Sequence, residues 1–228
     1  MSVWNDIRRR GNGFDYKKED DLSIEFDGSL NYSNEEKEYI KTPILELHKS
    51  RTILPFEESQ SLQSLVREVF ISAERKTYQV LFKERFPEDK DDDWEKLATV
   101  RVLGEYKSEE KKIILYINNI KEIEYRYGDL LPMMRYVYLH ELMHAYFDRN
   151  PNHDYIYGIE EAFAEFGALL CIEELVSDDK ANPAELEWAL SHVNGKKDLL
   201  TCYSYGYNLF NQYKENKVLG KQMLKSYL

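Results

Sequence analysis

Residues 133–148 read Met133-Met134-Arg135-Tyr136-Val137-Tyr138-Leu139-His140-Glu141-Leu142-Met143-His144-Ala145-Tyr146-Phe147-Asp148, and the segment His140-Glu141-Leu142-Met143-His144 within it decides how the rest is read. On an α-helix, residues i and i+4 project from one face, one above the other, so both imidazoles can reach a single metal ion. Glu141, one step round, faces the open side of that ion. Zinc held by three protein groups keeps a fourth position for water and lowers that water's pKa from ~15.7 towards about 7. Glu141 would then take the proton and hand it to a leaving amine. The helix is marked by Asp129 as N-cap, Pro132 in the first turn and Asn150-Pro151 as a stop after Asp148. The alternative is two ordinary helix histidines near a core, and a third ligand decides between the readings.

Working outward, residues 158–172 contain no proline and read as a helix apolar on nearly every side, hence a buried one. Glu161 and Glu165 stand at i and i+4 on a face shared with Ala168 and Ile172. Two buried carboxylates need a strong partner. Zinc with two histidines supplies one: Glu161 as the direct ligand and Glu165, one turn on, as the acceptor that holds a ligand histidine in its tautomer. Glu160 is the nearest competitor as ligand, although its face carries Ala164, Gly167 and Cys171 and no carboxylate at i+4. The competing reading of the pair is a solvated acidic face. His153, nine residues after His144, falls in the polar loop Asn152-His153-Asp154. It does not meet the metzincin spacing, since Phe147 stands at the Gly position and Asn150 at that of the third His.

With these residues in place the chain resembles the gluzincins, the zinc metallopeptidases typified by thermolysin and the alanyl aminopeptidases. The resemblance rests on His140, Glu141, His144 and, on the second helix, Glu161, with Glu165 at the acidic position four residues beyond. It implies a compact version of that fold, one catalytic Zn2+, and peptide-bond hydrolysis. In Thr201-Cys202-Tyr203-Ser204-Tyr205-Gly206 the chain is similar to the Y-x-x-G helix start of the aminopeptidase type. Tyr203 is the matching donor to the developing oxyanion, with Tyr205 and then His192 as other candidates. The exopeptidase signature G-x-M-E-N is absent, so the expected activity is an endopeptidase's.

Upstream, residues 97–106 and Lys112-Ile113-Ile114-Leu115-Tyr116-Ile117 are β-like runs flanking the polar Lys107-Ser108-Glu109-Glu110-Lys111, which signals a hairpin. The resemblance implies an edge strand on which an extended peptide lies, and residues 112–117 are the candidate. A long amphipathic helix is expected over residues 57–86, and helical pieces near 184–192, 203–213 and 219–227.

The formal charge of −11 excludes a basic nucleic-acid-binding surface and favours basic or neutral peptide partners. The acidic run at residues 88–93 reads as a solvated loop. No apolar run reaches the ~18–20 residues that cross a bilayer, and no signal-peptide core follows Arg8-Arg9-Arg10. Two cysteines, Cys171 and Cys202, make no disulfide framework and read as reduced, buried thiols, so the cytoplasm is the expected location.

The expectation is therefore an α+β, zincin-like domain over residues 55–228. It should have a small mixed sheet or hairpin packed on the active-site helix and a mostly helical C-terminal part. An irregular arm over residues 1–54, with Trp4, Phe14, Tyr16 and Phe26, would lie across the cleft. The alternative function is a zinc-containing regulatory or binding module that keeps the fold without turnover, against which the intact Glu141 argues.

Overall fold

The computed structural model describes residues 22–49, 65–85, 97–127, 130–148, 157–196 and 201–226. Asp129, His153, Asn150-Pro151, the acidic run at 88–93 and the aromatic residues Trp4, Phe14 and Tyr16 lie outside the described residues. The elements, in chain order, are β1 (Ser23–Phe26), α1 (Asn34–Lys49), β2 (Glu68–Ser72), α2 (Tyr78–Arg85), β3 (Gly104–Lys107), β4 (Lys112–Tyr116), α3 (Ile117–Tyr127), α4 (Leu130–Phe147), α5 (Tyr157–Ser177), α6 (Pro183–Lys196), α7 (Thr201–Tyr213) and α8 (Lys217–Ser226). The fold class is mixed α+β. No helix among the described residues is long and apolar enough to cross a membrane.

Four strands form one sheet in the order β1-β2-β4-β3. β1, β2 and β4 run parallel, and β3 returns antiparallel to β4. Residues 108–111 close the β3–β4 hairpin, with Lys111 in the left-handed region at φ 50° and its N–H donating to the Ser108 carbonyl at 3.1 Å. The hairpin is where the sequence places it, but β4 is an interior strand, paired on both sides. The edge assignment for Lys112 to Ile117 is therefore corrected: among the described residues the sheet's edges are β1 and β3, and Ile117 already opens α3. The parallel pairing of β4 with β2, more than forty residues earlier, is a contact that no local pattern announces.

Two further expectations change. Within residues 22–49 the arm is regular: β1 joins the sheet, and α1 packs on α4 through Ile40, Ile44 and Leu47, all buried at helical spacing. Its start is a capping box, Ser33 Oγ accepting from the Glu36 N–H at 3.2 Å while the Glu36 carboxylate accepts from the Ser33 N–H at 2.8 Å. The long helix over residues 57–86 is replaced, within 65–85, by β2 and the short α2. Val69 and Ile71 are fully buried while Glu68 and Phe70 are only partly covered, a period of two that serves a strand lying between two others.

One sheet face, carrying Val69, Ile71, Ile113 and Leu115, meets the helices. α4 lies against β3 and β4 and contacts α1, α3, α5 and α6. α5 is enclosed by α4, α6, α7 and α8, as its apolar composition requires. Two glycines set how closely these helices approach. A Cβ on Gly167 of α5 would lie 2.5 Å from Met143 Sδ of α4, and one on Gly206 of α7 would lie 2.6 Å from Glu165 Cβ of α5. A second, smaller apolar cluster, built from Tyr78, Leu81, Val100, Val102 and Tyr116, covers the other face of the sheet near β3. Cys171 and Cys202 are both free and buried.

Candidate metal centre

α4 presents His140, Glu141 and His144, and the neighbouring α5 presents Glu160, Glu161 and Glu165; all six are buried. The contact between the two helices brings His140 Nε2 to 3.2 Å from His144 Nε2 and 3.2 Å from Glu161 Oε2, with Glu161 Oε1 3.6 Å from His144 Nε2. A tetrahedral site with bonds of about 2.05 Å has ligand-to-ligand edges of about 3.3 Å. The two imidazole nitrogens stand at such a separation and each approaches its own Glu161 oxygen closely, so one ligand atom from each residue lies within 4.8 Å of the others. Two imidazoles and one carboxylate are the borderline donor chemistry that zinc favours. His140, His144 and Glu161 can therefore hold a metal ion between them.

The far nitrogens are oriented by acids. His144 Nδ1 is 2.6 Å from Glu160 Oε1. His140 Nδ1 is 3.5 Å from Glu165 Oε2, longer than a normal hydrogen bond, and has no other partner among the described residues. Glu165 is itself held by Tyr136, whose hydroxyl lies 2.7 and 2.6 Å from its two oxygens. Burial, and after it the charge of Glu165, push the Tyr136 phenol well above its usual range, so it remains the donor of that pair. Glu160, first considered as a rival ligand, thus sits on the opposite side of His144 from Glu161 and orients the ring.

Burial would raise the Glu161 carboxyl, but His144 and His140 outweigh it and hold the group at about 2. Burial would likewise lower His140, and the contacts with Glu161 and Glu165 overcome that and raise it well above 6.5. Glu141 differs: burial raises its carboxyl above the ordinary 4.5, opposed by the two histidines. Cations are felt by these acids as well: Arg85 lowers Glu141 and Glu161, and Lys196 feels the pull of Glu165 and Glu161. Three buried carboxylates around two imidazoles are nevertheless a setting that a metal cation could join.

Glu141 lies directly under β3. A Cβ on Gly104 would be 2.8 Å from Glu141 Oε1 and 2.7 Å from Val137 Cγ1, so only glycine lets the strand lie this close to α4. Further along, Tyr106 and Ser108 donate to Asp148 at 3.3 and 2.7 Å, fastening the hairpin to the end of α4. Between β3, α2 and the start of α5 opens a cleft of about 590 Å³ whose floor includes His140, Glu141, His144 and Glu161. The strand beside it is β3, which takes the place the sequence reading gave to β4.

Tyr203 of α7 is buried, its hydroxyl 2.7 Å from that of Tyr78, and it lines a small inner pocket together with His140 and Glu141. Burial holds its phenol well above the usual range, so it keeps a proton to donate. The Y-x-x-G spacing has a packing meaning here: Gly206, one turn beyond Tyr203, is the contact point with Glu165 and Ala162. Tyr205 is 63% exposed and points away from the site, whereas His192 is buried and lines the same inner pocket.

Tyr136, Tyr78 and Lys196 are the site-lining residues that sequence reasoning missed. Tyr136 had a usable signal, standing four residues before His140 on the same helix face. Tyr78 and Lys196 come from remote elements and had none. No protein-family model matches this chain, and neither does any curated protein or any solved structure.

Proposed function

We propose that the chain is a zinc-dependent endopeptidase with a zincin-like fold of gluzincin type, acting on peptides or proteins in the cytoplasm, with no nucleic-acid or membrane partner. The observation that carries this reading is the convergence of His140 Nε2 and His144 Nε2, 3.2 Å apart, on the Glu161 carboxylate, whose Oε2 is 3.2 Å from the first and Oε1 3.6 Å from the second, with Glu141 beside them under a strand edge unpaired among the described residues. When bound, the ion supplies Lewis acidity and lowers the pKa of a water towards about 7.

The remaining chemistry belongs to the chain. Glu141, raised by burial, accepts the proton of the attacking water and returns it to the departing amine. Tyr203, kept protonated by burial, donates a hydrogen bond to the oxygen that gains charge. Glu160 holds the His144 ring, and Glu165, 3.5 Å from His140 Nδ1, stands where it would hold the other once the contact shortens. The backbone of β3 offers an unpaired edge to an extended segment, and Gly104 keeps that edge within reach of Glu141.

The test is cleavage of a diverse peptide mixture followed by mass spectrometry, for wild type and Glu141→Ala, each with zinc and with a chelator. Cuts that vanish in both the variant and the chelated protein are expected. Absence of any cut by the zinc-supplied wild type would leave the site a binding centre.

A further inference from the structure

A lysine lies at the inner end of the cleft with no carboxylate in an ion pair with it among the described residues. Lys196, in the last turn of α6, is half-buried with its Nζ 5.0 Å from the ring centre of Tyr203 and 5.8 Å from that of Tyr78. Among the described residues no acid pairs with it. Beside it His192 is buried to 8% exposure, stacked on Trp188 at 5.4 Å and edge-on to Tyr136 at 5.6 Å, and its Nε2 has no hydrogen-bond partner among the described residues. A buried polar atom left unpaired costs free energy comparable to a lost hydrogen bond, and a desolvated ammonium costs more. Both groups line one pocket with Tyr203, of about 20 Å³, which is room for a single water-sized atom. That pocket and the main cleft share Tyr78, Gly104, His140 and Glu141 in their walls, so it is the cleft's inner recess.

We infer that this recess receives one oxygen of a ligand carboxylate, with Lys196 as the charged recognition group and His192 as a second donor. The rest of the carboxylate and its peptide would lie in the cleft. The choice of anion follows from what is missing. The recess contains an ammonium and an imidazole edge; its walls also include the Glu141 carboxylate, but among the described residues no acid closes an ion pair with the ammonium, and the volume is too small for a phosphate. Burial lowers the Lys196 amine to about 8, against the pull of Glu165 and Glu161, which leaves it predominantly charged at neutral pH. Burial, and after it Lys196, hold His192 well below 6.5, so its ring is neutral and its Nε2 can donate in one tautomer. This inference rests on the reading that the cleft takes a peptide, and it makes carboxylate-bearing peptides the preferred class. The carboxylate is either a chain terminus or an acidic side chain.

The experiment is calorimetric binding of four short peptides to full-length, zinc-supplied Glu141→Gln, in which turnover plays no part, and, since Glu141 also lines the recess, to chelator-treated wild type. One pair differs only in a free or amidated C-terminus; the other, amidated throughout, differs only in Glu or Gln at an internal position. The expected result is roughly ten-fold tighter binding of the acid in at least one pair. A preference confined to the first pair assigns the terminal carboxylate, and one confined to the second assigns the side chain. In Lys196→Met the preference should fall towards one, while Lys196→Arg should retain most of it. Equal affinities within both pairs, absence of binding by all four peptides, or a preference untouched by Lys196→Met would each overturn the inference. A carboxylate preference in a protein whose wild type cuts nothing would instead overturn the peptidase reading and leave this one standing.

Discussion

Two buried sets of charges lie on either side of β3, and they are built on opposite plans. On the outer side Glu105, 3% exposed, accepts from Lys76 at 3.0 Å and from the Tyr116 hydroxyl at 2.9 Å, and also pairs with Lys107, while Lys76 further pairs with Glu84. This set contains its own cations. On the inner side Glu161 and Glu165 face imidazoles, and Arg85 and Lys196 are felt there as charges acting at longer range. A structural charge cluster neutralises itself, because leaving an ion unpaired in the interior is costly. Acids gathered around two imidazoles are instead a set that a metal cation could join.

The largest effect that would sharpen this contrast is the response to zinc. At a zinc concentration a thousand times its Kd, binding to the native state contributes about 4 kcal/mol, which is roughly 8–16 °C in melting temperature for a chain of this size. Wild type should show that shift and His140→Ala should lose it; an equal shift in both would place the ion elsewhere. Next comes the outer set. Glu105→Gln removes the buried partner of Lys76, leaving it only the half-exposed Glu84, and should cost about 3 kcal/mol of stability, read by urea denaturation, with the zinc shift intact. A zinc shift lost along with Glu105 would break the distinction between the two sets.

The outer set also carries a pH signature. Burial would raise the Glu105 carboxyl, but Lys107, Lys76 and Tyr116 overcome it and hold the group below its ordinary 4.5. Its contribution is thus complete above pH 4.5 and is lost as pH falls through the folded-state value. The gap in stability between wild type and Glu105→Gln should therefore close as pH falls below 4.5 and through the lower folded-state value. Smaller still, Tyr203→Phe should lower kcat by roughly ten- to hundred-fold with little change in zinc affinity. Tyr205→Phe, altering an exposed ring, should change neither, and equal losses in the two variants would remove Tyr203 from the site. Gly104→Ala, which sets a methyl against Glu141 and Val137, should cost about 1–2 kcal/mol of stability by overpacking and reduce turnover as β3 is displaced from α4.

The inner set was far more legible in the sequence than the outer one. His140, Glu141 and His144 lie within one helical turn, and Glu161 and Glu165 stood out because a run as apolar as 158–172 has no solvated face on which to place them. Helical periodicity then does most of the work, since it fixes which side chains share a face. Glu105 and Lys76 carried no such mark. They meet only because β3 and the loop before α2 are brought together by sheet pairing, and each taken alone resembles any surface charge. The same limit explains the sheet. A hairpin is local and was readable from its turn, whereas the order β1-β2-β4-β3 is made of long-range pairings. α1 was missed for a different reason: its glutamates and lysines dominate the composition, and only the three-residue stripe of Ile40, Ile44 and Leu47 reports its buried side.

The β3–β4 hairpin is held at both ends, by Gly104 pressed on α4 and by Tyr106 and Ser108 bonded to Asp148. A beam clamped at two points does not swing aside to admit a bulky guest. Anything that pairs with its free edge must come as a bare strand spaced about 4.8 Å away, and a helix, with a diameter of about 10–12 Å, has no means of joining it. Admission then depends on how easily a partner can shed its own structure, so two proteins with the same local sequence would fare differently according to whether that stretch is folded or loose.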